Sequence, residues 1–304
     1  MRGNRSAMRL VTYLSADRSM RIGALANLGS SMSDRVVDLT DAAEGIRCLR
    51  ELIGRWDRLG PGLAERLRTG SLPEVGPLGQ VALAPPIPRP HKVVCIGLNY
   101  ADHAAETGAP IPTEPVVFNK FPTAIIGPGA AIELPEISSQ VDYEAELVVV
   151  IGKTASRIDR STAMDHVFGY MCGHDVSARD WQKGRPGGQW LLGKTFDTFG
   201  PTGPFLATKD EIPDPHALDV RFRLNGRELQ SSNTRQFIFP IDQLIAHLSN
   251  VFTLEPGDLL FTGTPPGVGT ARKPPVYLQP GDTAEVEIDG LGVLVNPVVS
   301  RPAK

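Results

Sequence analysis

The chain has 304 residues, of which 41% are hydrophobic and 21% are charged, and its formal net charge is -3. This composition is typical of a globular protein with a sizeable core, and the slightly acidic balance offers no basic surface for nucleic acid or an anionic membrane. No apolar run approaches the roughly 20 residues that cross a bilayer, so we expect neither nucleic acid nor membrane as a partner.

Residues 1–84 are predicted to form a small N-terminal α/β domain. Residues 8–14 and 21–28 have the composition of strands, and helical spacing follows through 41–53. The basic segment before Met8 is expected to be a disordered tail or to precede a later start, and a targeting segment is the alternative. Nothing in this part has catalytic spacing.

A proline-rich segment, APPIPRP at residues 84–90, follows and predicts a stiff linker, because proline holds the chain extended and cannot pair fully in a sheet. Residues 85–304 are therefore predicted to form the catalytic domain. The 31 glycines and 27 prolines are spread along the chain as turn markers, which favours many short strands. Asn225-Gly226 predicts one hairpin, and residues 241–249 have the apolar spacing of an amphipathic helix.

The three cysteines, Cys48, Cys95 and Cys172, are far apart and adjoin apolar runs rather than forming a C-x-x-C pair. They are expected to be free thiols in a reducing compartment. We predict the cytoplasm, with an organellar matrix as the alternative.

The segment LNYADHAAETG follows a predicted strand at residues 92–97 and is typical of a short helix. Asn99 is expected to cap this helix and Gly108 to end it. His103 and Glu106 are three residues apart and would share a face, as a general base and its orienting acid do. The alternative is a surface helix with an incidental pair.

Residues 141–152, VDYEAELVVVIG, predict a strand in which two acids interrupt an apolar run. Alternation places Glu144 and Glu146 on one face, ~7 Å apart at their Cα atoms. Two carboxylates on a half-buried strand repel each other unless a cation neutralises them, which predicts half of a metal site. The alternative is a solvated strand edge.

The next apolar strand, residues 167–173, ends in GHDVSARDWQ, which places Asp175 at its carboxyl end. Ser177 and Asp180 have the spacing of a capping box, so a helix is expected to begin just after Asp175. Arg179 and Gln182 would share a face of that helix.

Lys194 lies among apolar and aromatic residues in QWLLGKTFDTFGPTG and is either a site residue or a snorkelling surface lysine. The glycine-rich loop 262–269 lacks the G-K-[ST] and G-x-G-x-x-G contexts of nucleotide sites, so we reject nucleotide binding. Its backbone N–H groups, including that of Gly263, and the Thr264 hydroxyl could hold the anionic end of a substrate.

Glu144, Glu146 and Asp175 form an all-oxygen ligand set without cysteine or histidine at ligand spacing. Such a set favours Mg²⁺, then Mn²⁺ or Ca²⁺, and disfavours zinc.

Five segments resemble motifs of the fumarylacetoacetate hydrolase family and occur in the same order: IGLNYADHAAE, VDYEAELVVVIG, GHDVSARDWQ, GGQWLLGKTFDTFGPTGP and LFTGTPPGVG. They extend over about residues 91–299. The run QWLLGKTFDTFGP, with SSNTRQ and KPPVYLQPGD downstream, most resembles the fumarylacetoacetate hydrolase domain-containing type 2 branch of the family.

The resemblance implies an α+β fold in which mixed β-sheets combine with α-helices. The expected architecture is a twisted mixed β-roll preceded by a small N-terminal domain, and the expected assembly is a homodimer. It implies metal ligation by Glu144, Glu146 and Asp175 and water activation by His103 and Glu106 on a lid. It further implies oxyanion stabilisation by Lys194, and the positions that match substrate contacts are Arg179, Gln182, Thr264 and Gly263.

The chemistry that we expect first is hydrolysis of a C–C bond in a 2,4-dioxo acid, giving a pyruvate-type enolate and a carboxylic acid. A metal stabilises the enolate charge, and His103, oriented by Glu106, deprotonates the attacking water. The same metal-bound enolate would serve an oxaloacetate tautomerase or decarboxylase, which is the alternative. A non-catalytic module that binds 2-oxo acids is the second alternative.

Overall fold

The structure is a computed structural model that describes residues 7–26, 34–108 and 110–301, without the side chain of Thr107. Of the expected N-terminal tail, residues 1–6 lie outside the described residues. Residues 27 and 28 of the second predicted strand lie outside them as well.

Short strands dominate the described residues, as the distribution of glycine and proline predicted. In chain order the strands are β1 (Arg9–Leu14), β2 (Met20–Ala26), β3 (Arg35–Asp38), β4 (Glu74–Pro77), β5 (Leu83–Ala84), β6 (Val93–Gly97), β7 (Val116–Lys120), β8 (Ile125–Ile126), β9 (Ile132–Leu134), β10 (Val141–Asp142), β11 (Ala145–Ile151), β12 (Val167–His174), β13 (Ser177–Ala178), β14 (Gly200–Thr208), β15 (Asp219–Leu224), β16 (Arg227–Asn233), β17 (Leu259–Phe261), β18 (Thr283–Ile288) and β19 (Gly292–Ser300).

The helices are short. The α-helices are α1 (Leu49–Gly54), α2 (Trp56–Arg68), α3 (Ala101–Thr107), α4 (Arg179–Gln182), α5 (Trp190–Lys194) and α6 (Ile241–Ser249). Single 3₁₀ segments lie at Leu78–Gln80, Pro122–Ala124, Arg160–His166, Lys209–Glu211, Thr234–Gln236 and Gly269–Ala271. The amphipathic helix predicted over residues 241–249 is confirmed as α6. Within the part of the chain that the structure describes, the search for a helix with the length and apolarity of a membrane span finds none.

Within residues 7–26, 34–108 and 110–301 the strands form three sheets, which confirms the α+β class. A 12-stranded sheet has the order β4-β3-β2-β1-β14-β12-β11-β17-β6-β7, with β5 beside β1 and β8 beside β14. A five-stranded sheet has the order β16-β15-β18-β19-β9, and β10 pairs with β13. The sheets are mixed, because β6 and β17 are parallel whereas β11 is antiparallel to both β12 and β17.

Strand β11 is buried along its whole length because it is apolar on both faces. Leu147 and Val149 face a core that includes Phe222 of the five-stranded sheet. Val148 and Val150 alternate with them and face a second core, which includes Leu52 of α1. A strand covered on both sides is expected to be rigid, so the side chains at its end are held in fixed positions.

Strands from the first 84 residues continue the sheet of the remaining chain. β1 pairs with β14 through Arg9–Ala207 and Leu10–Leu206, and β1 to β4 are consecutive neighbours. The predicted division into residues 1–84 and 85–304 therefore stays a proposal about organisation. All candidate site residues come from the second part.

Candidate active site

Three buried carboxylates meet where β11 begins and β12 ends. Glu144 directly precedes β11, Glu146 belongs to it, and Asp175 directly follows β12. The two strands are antiparallel, and the Asp175 N–H donates to the Glu144 carbonyl oxygen over 2.9 Å. The strand alternation and the strand-end position that the sequence indicated thus converge on one point.

One oxygen atom from each of these carboxylates lies within 4.8 Å of the others, the spacing of ligands around a single cation. Glu144 is 6% exposed, Glu146 1% and Asp175 0%. The alternative of a solvated strand edge is wrong, because none of the three faces bulk water.

Two lysines neutralise part of this charge from other elements. Lys194, the last residue of α5, is 2% exposed, and its Nζ lies 2.6 Å from Glu144 Oε2 and 2.7 Å from Asp175 Oδ2. Lys120, the last residue of β7, places its Nζ 2.6 Å from Asp175 Oδ1 and 3.0 Å from the Val176 carbonyl oxygen. Lys194 is therefore buried among the carboxylates, and the alternative of a snorkelling surface lysine is wrong.

Arg179 and Gln182 share a face of α4 as predicted, since Arg179 Nη1 donates to Gln182 Oε1 over 2.9 Å. Arg179 also pairs with Glu144 Oε1 at 2.6 Å and with Asp142 Oδ2 at 2.8 Å. Burial would lower the pKa of this guanidinium, but Glu144 and Asp142 raise it above its ordinary value. Arg179 is a permanent cation that links two acids.

The arrangement leaves uncompensated negative charge. Burial raises the pKa of Glu144, but Lys194 and Arg179 outweigh it and lower the value to about 2. The pKa of Glu146 is raised well above its ordinary range by burial and by the charges of Asp175 and Glu144. The described acids outnumber the described basic partners by one: Asp142, Glu144, Glu146 and Asp175 face Lys120, Arg179 and Lys194. The cluster therefore fits a hard divalent cation, which would reverse the net charge to positive.

His103 and Glu106 face each other on α3, with His103 Nδ1 3.1 Å from Glu106 Oε2. His103 is 8% exposed, and Glu106 also accepts from the Gly267 N–H at 3.0 Å. Gly108 ends the helix at a φ of 64° as predicted. The predicted cap at Asn99 is wrong. Its side chain donates instead to the carbonyl oxygens of Phe239 and Thr262, at 3.1 and 2.8 Å.

The predicted capping box at Ser177 and Asp180 is also wrong. Ser177 lies in β13 and donates to the Asp175 carbonyl oxygen, and α4 begins only at Arg179. Asp180 accepts from the Ser138 hydroxyl at 2.7 Å. Sequence spacing cannot reveal that the strand pair β10 and β13 competes for these residues.

In the glycine-rich loop, the two predicted substrate contacts are already engaged with β11. The Gly263 N–H donates to Glu146 Oε2 over 2.8 Å. The Thr264 hydroxyl donates to the Ala145 carbonyl oxygen over 3.0 Å and accepts from the Gln230 amide over 2.8 Å. Gly263 positions the Glu146 carboxylate, whereas Thr264 lines a cavity beside the acid cluster.

A cavity of about 290 Å³ lies beside the acid cluster. Its wall combines an apolar part with polar groups that include His103, Glu144, Glu146, Arg179, Gln182 and Lys194. The apolar part includes Trp190 and Phe118, whose ring centroids are 5.4 Å apart. The base candidate on α3 and the carboxylates of β11 thus face the same space.

Sequence analysis missed Asp142 and Lys120. Asp142 is fully buried and accepts from the Gly269 and Thr270 N–H groups as well as from Arg179. The alternation that paired Glu144 with Glu146 also includes Asp142, so that signal was present. Lys120 has no comparable local signal, because its partners lie more than 50 residues away.

Comparison with known proteins identifies a family and several named relatives. The model of the fumarylacetoacetate (FAA) hydrolase C-terminal region matches residues 92–299. A Xenopus laevis protein named as a mitochondrial oxaloacetate tautomerase is 48% identical over 297 residues, which cover 96% of this chain and 91% of that protein.

Solved structures agree with the fold. A fumarylacetoacetate hydrolase from Exiguobacterium antarcticum has a TM-score of 0.84 and 36% identity, covering 97% of this chain and 100% of that one. A maleylpyruvate hydrolase from Sphingobium, in complex with manganese(II) and pyruvate, has a TM-score of 0.80 and 31% identity over 97% and 100% of the two chains.

Proposed function

Because the chain belongs to the fumarylacetoacetate hydrolase family, we propose that it is a divalent-metal-dependent oxaloacetate tautomerase. The observation on which this depends is that His103, which is paired with Glu106, lines the same cavity as Glu144 and Glu146 of the buried carboxylate cluster. Keto–enol interconversion needs one proton-transferring group beside a site for the 2-oxo acid. The tautomerase name of the Xenopus laevis relative supports this activity over C–C hydrolysis, which the sequence alone placed first.

Glu144, Glu146 and Asp175 would hold the cation. We propose Mg²⁺, with Mn²⁺ or Ca²⁺ as substitutes, because all three ligands are carboxylate oxygens. When bound, the ion supplies a Lewis acid for the neighbouring carboxylate and keto oxygens of a 2-oxo acid. The manganese(II) and pyruvate in the Sphingobium structure support this chemistry.

His103 would transfer the proton. Its Nδ1 faces the Glu106 carboxylate, which would orient the ring and make Nε2 the nitrogen that exchanges a proton with the substrate. Nε2 would take a proton from C3 of the keto form, and the keto oxygen would gain one. In the reverse direction the proton returns to C3. The Gly267 N–H also donates to the Glu106 carboxylate and would help to hold it in place.

Lys194 and Arg179 would balance charge around the substrate while remaining paired with Glu144. Gln182 and Thr264 line the cavity and are proposed to hold the substrate carboxylate. Gly263 would act through Glu146, to which its N–H donates.

Hydrolysis of a 2,4-dioxo acid is the second candidate. The same His103–Glu106 pair could activate a water, and the Sphingobium neighbour is a maleylpyruvate hydrolase.

A reducing compartment, cytoplasm or organellar matrix, is proposed because the three cysteines are free, with Cys48 half-buried and the other two buried. The homodimer stays a prediction.

The test follows enol-oxaloacetate and acetylpyruvate in parallel, each with Mg²⁺ and with EDTA. We expect Mg²⁺-dependent loss of the enol absorbance without pyruvate release. His103→Ala should lower kcat by roughly 10²- to 10⁴-fold, the contribution of a positioned general base. His247→Ala, on the polar side of α6, is the matched control.

Rapid cleavage of acetylpyruvate with little tautomerisation would favour the second candidate. Binding of both compounds without turnover would indicate a non-catalytic 2-oxo acid module and contradict the proposal.

A further inference from the structure

Lys183 differs from the other basic groups of the cavity. It directly follows α4 and lines the cavity together with Arg179 and Lys194. Among the described residues, its ammonium group has no ion pair or hydrogen bond, although its backbone N–H donates to the Arg179 carbonyl oxygen at 2.9 Å. Arg179 and Lys194, in contrast, each pair with two buried carboxylates.

The surroundings of Lys183 favour an anion. Partial burial of its side chain and the charge of Arg179 lower the pKa of Lys183, and Lys194 acts in the same direction. The carboxylates Glu144 and Asp142, which act in the opposite direction, are held by other cations. An anionic group from outside the chain would compensate the positive charge of Lys183.

The position of Lys183 sets which part of a ligand it can reach. Glu144 and Glu146 of the acid cluster are buried, whereas Lys183, which lines the same cavity, is exposed. This difference in exposure puts Lys183 on the solvent side of the cavity. A cation held by Glu144, Glu146 and Asp175 would bind the 2-oxo acid part of a substrate, and the rest of the carbon chain would then extend away from the buried carboxylates. Trp190 and Phe118, which also line the cavity, are aromatic and carry no charge.

We propose that Lys183 binds the second carboxylate of a dicarboxylic 2-oxo acid and thereby selects such substrates over monocarboxylic ones. This inference rests on the proposed function, and it adds the residue that distinguishes oxaloacetate from pyruvate-like compounds. Arg179 cannot serve the distal carboxylate equally well, because Asp142, Glu144 and Gln182 already accept its N–H groups.

The experiment compares two ligands that differ by one carboxylate. Dissociation constants of freshly dissolved oxaloacetate and of pyruvate are measured by calorimetry on the Mg²⁺-loaded full chain. Lys183→Gln should weaken oxaloacetate roughly 10- to 100-fold, since a hydrogen bond between charged groups is lost. Pyruvate should bind as it does to the parent chain, and Lys183→Arg should restore most of the oxaloacetate affinity.

Arg185→Gln is the matched control, because it removes one positive charge from the same loop. The Arg185 guanidinium lies over the Trp181 ring, 4.2 Å from its centroid. The inference is overturned if the parent chain binds oxaloacetate no more tightly than pyruvate, or if Lys183→Gln weakens both ligands alike. It is also overturned if Arg185→Gln has the same effect.

These outcomes are separate from the proposed activity. A chain that fails to interconvert the enol and keto forms would disprove the tautomerase proposal. The binding ratio of the two ligands would still decide the role of Lys183.

Discussion

Glu146 is the residue at which charge in the buried cluster is least compensated. Burial, Asp175 and Glu144 raise its pKa well above the ordinary value of 4.5. Without a metal, the folded chain therefore retains a proton on Glu146 at a pH where the unfolded chain has lost it. Because the folded state then binds more protons, the free energy of unfolding falls as pH rises above the ordinary glutamate range.

Glu146→Gln should remove this pH dependence. Urea denaturation in EDTA is expected to show the parent chain losing stability from pH 5 to pH 8, whereas the variant, whose amide has no proton to lose in this range, gives a flatter profile. The exposed Glu136→Gln is the control. Added Mg²⁺ should stabilise the parent chain and the control, but not Glu146→Gln. A Glu146→Gln chain that keeps both the pH slope and the Mg²⁺ effect would contradict the assignment of Glu146 as a ligand.

For a single residue, what the sequence can predict depends on whether the residue that it contacts is close to it in the chain. Glu144 and Glu146 were found by alternation along one strand, and His103 and Glu106 by spacing along one helix. Lys120 was missed because a lysine that ends a strand looks like any surface lysine until the fold brings it to Asp175, at the end of β12. A pattern within one element is visible in the sequence, whereas a contact between elements distant in the chain is not.

Helix α3 shows the same limit at the scale of elements. Its length and its end at Gly108 were predictable, but Asn99 was lost as a cap because the Thr262 and Phe239 carbonyl oxygens are its partners. Docking of the helix depends on two acids beside His103. Asp102 Oδ2 accepts from the Ser232 hydroxyl at 2.5 Å, and Glu106 accepts from the Gly267 N–H.

Ser232→Ala should therefore loosen α3 on the body of the protein. Loss of one hydrogen bond to a carboxylate is worth about 1.5–3 kcal/mol, so local opening should rise roughly tenfold or more. Hydrogen exchange of the peptide that contains Ala101–Thr107 measures this directly. Ser231→Ala, at the neighbouring exposed position on β16, is the control. Equal exchange in the two variants would show that the Asp102–Ser232 bond does not hold the helix.

At the scale of the whole molecule, the proline-rich segment at residues 84–90 marks a change in composition, but packing continues across it. Leu10 of β1 is fully buried and shares a core with Phe168 and Met171 of β12. β12 is also the strand whose end places Asp175 in the acid cluster. The composition shift was visible in the sequence, whereas the pairing of β1 with β14, some 200 residues away, was not.

Because this core is shared, a cavity at Leu10 should destabilise the whole chain and not only its first part. Leu10→Ala is expected to lower the free energy of unfolding by about 2–5 kcal/mol, the cost of a buried leucine truncation. Calorimetry of the full chain should show one transition, shifted as a unit, and its Mg²⁺-dependent stabilisation should move with it. Leu14→Ala, on the same strand but 36% exposed, should change little. If Leu10→Ala instead splits the trace, with residues 85–304 melting as in the parent chain, the two parts fold independently and the shared core contributes little to their coupling.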